Sequence, residues 1–222
     1  MAPPAIDRTL GEYLVANGRQ SFACSETQKY GHVTYFFNGN QSGLIDPSRE
    51  EYVEVPSLDG AFDERPWMSA SEITRQAVQA IRRDRFDHVR VIYANGDMVG
   101  HTGDLVAARL AMEIVDREVQ TLEAAVRSAG GVLLITADHG NCDEMWMRDK
   151  KGAIRRDAAG KPLPKTSHTL SEVPFILVDP TERLTVCAPE KAGIASVATS
   201  VVEICGLRAP GDYAPGLVVP KG

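Results

Sequence analysis

The hydrophobic residues of this chain fall into short continuous runs separated by longer amphipathic stretches. Short apolar runs bounded by turn residues are typical of buried strands. They predict strands at residues 21–24, 52–55, 89–93, 131–135 and 173–178. Amphipathic spacing predicts helices over residues 9–17, 69–83, 104–129 and 191–205.

The stretch 26–37 carries two conflicting signals. Its β-branched and aromatic residues favour a strand. Its apolar residues also follow helical spacing, and Asn38-Gly39 is typical of the end of a helix. We therefore expect a helix here.

Polar residues mark where the predicted helices begin. Thr9 is expected to cap the first helix, and the sequence from Ser69 to Glu72 has the pattern of a capping box. A glycine-punctuated stretch, residues 94–103, is expected to be a loop. Asp104 then caps a long helix whose predicted apolar stripe is Leu105, Leu110, Ile114, Val119, Leu122 and Val126.

The repeated order of strand, loop and helix predicts an α/β fold with a largely parallel sheet flanked by helices. No composition shift indicates a second unit, so we expect a single domain over residues 1–222. In such folds, ligands bind outside the carboxyl ends of the strands.

Composition narrows the functional classes. The net charge of -6 argues against nucleic-acid binding, which usually needs a basic face. No apolar run approaches the length of a membrane helix. The four cysteines are scattered, which is typical of reduced thiols in a cytoplasmic protein. Residues 144–165 are highly charged, and we expect a solvated surface excursion that turns at Lys151-Gly152.

Acidic and imidazole side chains recur near the ends of three predicted strands. Asp97 and His101 follow one strand, Asp138 and His139 follow the next, and His168 precedes a third. An isolated Asp-His pair is more often a turn cap beside a surface histidine, but three converging segments favour a metal site. Carboxylate and imidazole ligands suit Mn²⁺, Zn²⁺, Fe²⁺ or Co²⁺. Five ligands are enough for two ions, and paired ions support phosphoryl displacement.

The same segments resemble a known family. Residues 95–103 (NGDMVGHTG), 136–141 (TADHGN) and 166–169 (TSHT) are similar to the metal-binding motifs of cofactor-independent phosphoglycerate mutases. Those enzymes belong to the alkaline phosphatase superfamily. Residues 29–34 (KYGHVT) and 68–70 (MSA) also resemble that family, and the similarity continues in order from about residue 9 to the end.

The resemblance implies roles for individual residues. The positions matching Asp97, His101 and His168 would hold one Mn²⁺, and those matching Asp138 and His139 would help to hold a second. Lys29 would lie at the phosphate as a catalytic residue. The position before it is usually Glu in the family and is Gln28 here, which puts a charge-based role for that neighbour in doubt.

The resemblance covers only part of the family's enzyme. No stretch of this sequence resembles the family's amino-terminal segment, which carries an Asp ligand and the nucleophilic Ser, or its transferase domain. We therefore expect no nucleophile in this chain. The leading hypothesis is an incomplete part of an enzyme that interconverts 2- and 3-phosphoglycerate, either a fragment or a chain that needs the missing part from elsewhere. The alternatives are a free-standing metal-dependent phosphohydrolase acting on a small phosphomonoester and a non-catalytic metal-binding subunit.

Overall fold

A computed structural model describes residues 6–221; residues 1–5 and 222 of the predicted domain lie outside the described part. The helices are α1 (Leu10–Ala16), α2 (Thr27–Gly31), α3 (Ala70–Arg82), α4 (Asn95–Gly100), α5 (Leu105–Ser128) and α6 (Ser196–Ile204). The strands are β1 (Ser21–Glu26), β2 (Glu50–Val55), β3 (His88–Ile92), β4 (Leu133–Thr136), β5 (Phe175–Val178), β6 (Leu184–Val186) and β7 (Val218–Pro220).

A parallel three-stranded sheet forms the centre of the fold. Its order is β2-β1-β3, and Ser21 of β1 lies opposite Glu50 on one side and His88 on the other. Helix α3 packs on this sheet through Ile73, while Phe22 and Val55 reach it from the strands. The predicted α/β class with a parallel sheet flanked by helices is confirmed.

The remaining strands pair differently from the expected parallel order. Strand β5 runs antiparallel to β4, with Thr136 opposite Phe175, and β6 and β7 form a second antiparallel pair. The antiparallel direction places the amino end of β5 beside the carboxyl end of β4. His168, which precedes β5, therefore lies near Asp138 and His139 without the returning loop that a parallel strand would need.

Most predicted helices are present, and their ends follow simple capping chemistry. Thr9 and Glu12 form a capping box at the start of α1. The ambiguous stretch 26–37 is helical, as expected: α2 is followed directly by a π-helical turn, His32–Phe36. Asp104 caps α5 by accepting hydrogen bonds from the N–H groups of Val106 and Ala107.

Two helix details were predicted wrongly. Ser69 makes no capping hydrogen bond from its side chain; its hydroxyl donates to the carbonyl of Pro56 instead. In α5 the small residues Ala107, Ala108 and Ala111 are buried together with Leu122, whereas Leu105 and Leu110 are 46% and 42% exposed. These alanines form the face of α5 that packs against neighbouring helices, and their small side chains allow close approach. The large apolar residues at the amino end of α5 therefore lie outside this helix contact.

The stretch 94–103 was also predicted wrongly, because residues 95–100 form helix α4 instead of a loop. Gly96 and Gly100 suggested a loop, but neither has a positive φ. They are small because their neighbours are close: a Cβ on Gly96 would lie 3.1 Å from the Met112 sulfur, and one on Gly100 would lie 2.4 Å from Asn141 Oδ1.

The charged segment 144–165 folds as a surface excursion with two successive turns, whereas only the first was expected. In each turn an arginine donates to the carbonyl of the glycine four residues later, Arg148 to Gly152 and Arg156 to Gly160. Isolated bridges pair its two limbs, and the bridge between Gly140 and Thr169 closes its base. Among the described residues, no helix has the length and apolar character needed to cross a membrane.

One buried carboxylate gives the stability of the fold a predicted pH dependence. Glu26 is fully buried and accepts hydrogen bonds from Ser69 N–H and the Ser57 hydroxyl, both at 2.9 Å. Burial raises the pKa of Glu26 despite these hydrogen bonds. The protonated carboxyl of Glu26 therefore stabilises the fold. This contribution is fully present below the pKa that Glu26 has in the unfolded chain, and it is lost as the pH rises through the pKa that Glu26 has in the folded chain.

We accordingly expect Glu26→Gln to gain stability relative to the unmodified chain as the pH is raised. The neutral amide can accept from Ser69 and donate to Ser57 without ionising. Urea unfolding of both metal-free proteins between pH 4.5 and 7.5 measures this difference. A difference that does not change with pH would contradict the prediction.

Candidate metal centre

Four segments bring polar side chains to one edge of the fold. Lys29 comes from α2 after β1, and Asp97 and His101 come from α4 after β3. His139 follows β4, and His168 precedes β5. The carboxyl ends of β1, β3 and β4 and the amino end of β5 therefore face a common site, as expected for an α/β fold.

The Asp97 carboxylate lies at the centre of this site. Its Oδ1 atom is 3.0 Å from His101 Nε2 and 3.0 Å from His168 Nε2, and the two imidazole nitrogens are 3.2 Å apart. Its Oδ2 atom forms an ion pair of 2.5 Å with Lys29 Nζ. The helical form of α4 explains the first contact, because residues i and i+4 lie on the same face of a helix.

The imidazole of His101 is held with one nitrogen available to the site. Its Nδ1 lies 2.8 Å from the carbonyl oxygen of Thr166. A carbonyl only accepts hydrogen bonds, so Nδ1 donates to it and Nε2 is the ring nitrogen that faces the site. Such a contact is typical of histidines that bind metals.

His139 completes the cluster, whereas Asp138 lies at its rim. The rings of His139 and His168 stack with their centroids 3.7 Å apart. His139 Nε2 is 4.0 Å from Asp97 Oδ1 and 3.6 Å from Asp138 Oδ1. The Asp138 side chain is 56% exposed, compared with 12% for Asp97. Ligand atoms of Asp97, His139 and His168 all lie within 4.8 Å of one another.

These separations fit a metal ion. Ligand atoms about 2.1 Å from a shared ion and about 90° apart lie roughly 3.0 Å from each other. The contacts among Asp97, His101 and His168 are 3.0, 3.0 and 3.2 Å. One carboxylate oxygen and two imidazole nitrogens also form a donor set that divalent transition metals accept.

The electrostatics keep Asp97 ionised. Burial alone would raise the pKa of this carboxyl, but hydrogen bonds from Lys29 and Asn141, with the charge of Lys29, outweigh that effect and lower the pKa to about 2. Asp97 therefore carries its negative charge throughout the neutral pH range, as a metal ligand must.

The sequence did not reveal the residues that support these ligands. Asn141 was only part of the motif 136–141 and had no role of its own, yet its Nδ2 donates to Asp97 Oδ1 at 2.8 Å. Thr169 donates from its hydroxyl to the carboxylate of Asp143 at 2.9 Å. Both residues lie next to predicted ligands, and their position was the only available signal. The other two histidines, His32 and His88, lie outside the cluster.

Comparison with known proteins agrees with this geometry. The profile of the Metalloenzyme superfamily matches residues 1–209. This chain belongs to that superfamily. Membership and the cluster of carboxylate and imidazole groups together indicate a divalent metal ion as the cofactor.

Similar proteins share nearly half of the matched residues with this chain. The 2,3-bisphosphoglycerate-independent phosphoglycerate mutase of Trypanosoma brucei brucei is 49% identical over 220 residues, which are 97% of this chain and 40% of that protein. A probable enzyme of the same name from Leptospira interrogans is 48% identical over 219 residues, which are 98% of this chain and 40% of that protein.

A solved structure gives the same result. The crystal structure of Leishmania mexicana phosphoglycerate mutase at low cobalt concentration has a TM-score of 0.94 and 46% identity. The match covers 99% of this chain and 40% of that protein. The chain therefore resembles the carboxy-terminal part of such mutases, as the sequence motifs predicted, and spans 40% of the length of these relatives.

We expect single histidine replacements to separate ligands from neighbours. His101→Ala and His139→Ala should each lower the metal content per chain, because each removes an imidazole nitrogen from the cluster. The matched control is His32→Ala, since the exposed His32 ring packs against Phe36, at 5.0 Å between centroids. Metal analysis after dialysis against buffered Mn²⁺ measures the effect. Equal metal content in all four proteins would contradict the assignment.

Proposed function

We propose that this chain is the metal-binding part of a 2,3-bisphosphoglycerate-independent phosphoglycerate mutase, which interconverts 2- and 3-phosphoglycerate in glycolysis and gluconeogenesis. The observation that carries the proposal is the convergence of Asp97, His101 and His168 on one point, in a chain nearly half identical to enzymes of that name. The complete reaction needs a phosphoryl acceptor, and we propose that a segment outside these 222 residues supplies it.

The proposal assigns two divalent ions, with Mn²⁺ preferred, to two sets of ligands. Asp97, His101 and His168 would hold one ion, and Asp138 and His139 would contribute to the second. The 4.0 Å between His139 Nε2 and Asp97 Oδ1 supports neighbouring sites. Bound ions would supply the positive charge that phosphoryl transfer requires.

Lys29 is proposed as a catalytic residue. Its side chain is only 4% exposed and its ammonium group already contacts Asp97 Oδ2. An ammonium group has three N–H donors, so one can serve Asp97 while another is available for a phosphoryl oxygen at the same site. The ion pair would hold Lys29 in place, and its charge would help to neutralise the substrate. A phosphoglycerate, or another small phosphomonoester, is the proposed ligand.

The rest of the enzyme is proposed to act as a partner that completes the fold. Within the described residues, β3 pairs only with β1, and β4 pairs only with β5, so each has an unpaired edge. The amino end of α5 also exposes large apolar residues, with Val106 80% exposed. Open edges and apolar patches of this kind favour association with further chain. We propose one domain over residues 1–222 in a cytoplasmic enzyme that binds neither nucleic acid nor membrane.

Complementation tests the proposed function. The part of the Trypanosoma brucei relative outside the matched region is produced as a separate chain and mixed with this one in Mn²⁺. We expect conversion of 3- to 2-phosphoglycerate that neither part shows alone. His101→Ala is the matched control and should lower the restored rate by at least about 100-fold, since even residues behind the ligands cost 10- to 100-fold.

The outcomes separate the alternatives. A complex that forms without mutase activity would contradict the proposal. Hydrolysis of p-nitrophenyl phosphate by this chain alone in Mn²⁺ would favour the phosphohydrolase. Absence of both activities, with metal bound, would favour a non-catalytic subunit.

A second prediction concerns the surface at which the partner binds. We expect Val106→Lys to weaken complementation, because a charged side chain would be buried against the added chain. Ile194→Lys is the matched control, since Ile194 is also exposed, at 56%, but lies outside α5. Titrating the restored activity with the partner chain measures the apparent affinity. Equal loss in both variants would place the partner elsewhere.

A further inference from the structure

The segment from Gly140 to Asp143 contacts the chain on both sides of the metal cluster. On one side, Asn141 Nδ2 donates to Asp97, and the Cys142 thiol donates to the carbonyl of Gly96 at 2.8 Å. On the other side, Asp143 accepts from the Thr169 hydroxyl, next to His168. A single short segment therefore connects α4 with the segment that carries His168.

Asn141 makes the most direct of these contacts. Its Nδ2 lies 2.8 Å from Asp97 Oδ1 and 3.1 Å from the backbone carbonyl oxygen of Asp97. Both partners only accept hydrogen bonds, so the NH₂ group, and not the amide oxygen, must face Asp97. One side chain thus fixes both the carboxylate and the backbone of a proposed metal ligand.

The other half of the same amide makes no compensating contact. Asn141 is 5% exposed, and its Oδ1 has no hydrogen-bond partner among the described residues. A buried polar atom without a partner is unfavourable for folding. Gly100 provides the space for it, because a Cβ there would lie 2.4 Å from this oxygen. The benefit of asparagine at this position therefore lies in the Nδ2 contacts.

Those contacts determine which way the carboxylate faces. Lys29 holds Oδ2 and Asn141 contacts Oδ1, which is the oxygen directed at His101 and His168. A neutral amide can orient this oxygen without adding a positive charge that would repel an ion.

We propose that Asn141 is a positioning residue, which holds the Asp97 carboxylate and α4 in the orientation needed for metal binding. The proposal rests on the metal-dependent function proposed above. It concerns a residue that contacts a ligand and is not itself a ligand. Residues that orient metal ligands typically change metal affinity by about 10- to 100-fold when replaced.

Asn141→Leu is the sharpest test, because leucine has a similar shape but no donor and no unpartnered oxygen. We expect Co²⁺ affinity to fall by about 10- to 100-fold. The visible spectrum of bound Co²⁺ should also change, since the Asp97 ligand is reoriented. The thermal stability of the metal-free chain should be retained, because the variant removes a buried unpartnered atom. A purely structural role for Asn141 predicts loss of stability instead.

Two further variants complete the experiment. Asn141→Ser keeps a hydroxyl donor and should retain part of the affinity and an unaltered spectrum. Asn38→Leu removes another buried amide with an unpartnered Oδ1, one whose Nδ2 donates to the Tyr52 hydroxyl outside the cluster, and should bind Co²⁺ as the unmodified chain does. Equal affinity and spectra for Asn141→Leu and the unmodified chain, with binding abolished by His101→Ala, would overturn the positioning role alone. Failure of the unmodified chain to bind Co²⁺ would overturn both this proposal and the metal-dependent function.

Discussion

The site depends on one partly buried carboxylate, that of Asp97, and on the groups that hold it. Asp97 is contacted by an ammonium group, two imidazoles and an amide. Except for His101, which follows on the same helix, these groups come from segments that are far away in the sequence. Burying an anion is unfavourable unless its charge and lone pairs are compensated. The contacts from Lys29 and Asn141 compensate part of that charge and also tie α2 and the segment after β4 to α4. The same compensation therefore lowers the pKa of Asp97 and assembles the cluster.

The parallel sheet and the antiparallel β4-β5 pair make different contributions to this arrangement. The sheet brings Lys29 and α4 to one edge, because β1 and β3 are parallel neighbours. The antiparallel pair brings His139 and His168 together from opposite chain directions. Segment 140–143 joins the two assemblies through Asn141 and Asp143. The cluster therefore lies where the parallel sheet and the β4-β5 pair meet.

The sequence predicted the fold class, most elements and the cluster residues. These predictions succeeded where contacts between residues close together in the sequence determine the structure. Thr9 and Asp104 cap helices by contacts within a few residues, which a sequence pattern can reveal. Gly100 misled because it allows close approach to Asn141, a contact 41 positions away that no local pattern reports. The apolar stripe of α5 was predicted wrongly for a similar reason. The spacing of apolar residues does not show which face of a helix packs against its neighbours. The direction of β5 also depends on long-range pairing.

The excursion 144–165 is closed at its base, so the geometry of the site does not depend on the length of this segment. The pairing of Gly140 with Thr169 and of Trp146 with Pro164 fixes both limbs before the chain leaves the body of the fold. Residues beyond these pairs can change in number or composition with little effect on His139 and His168, because loop length alters closure entropy only slowly. The residues between Trp146 and Pro164 can therefore diverge in sequence. They are also a suitable place for attaching a fluorophore or an affinity tag, which would report on the metal cluster without disturbing it.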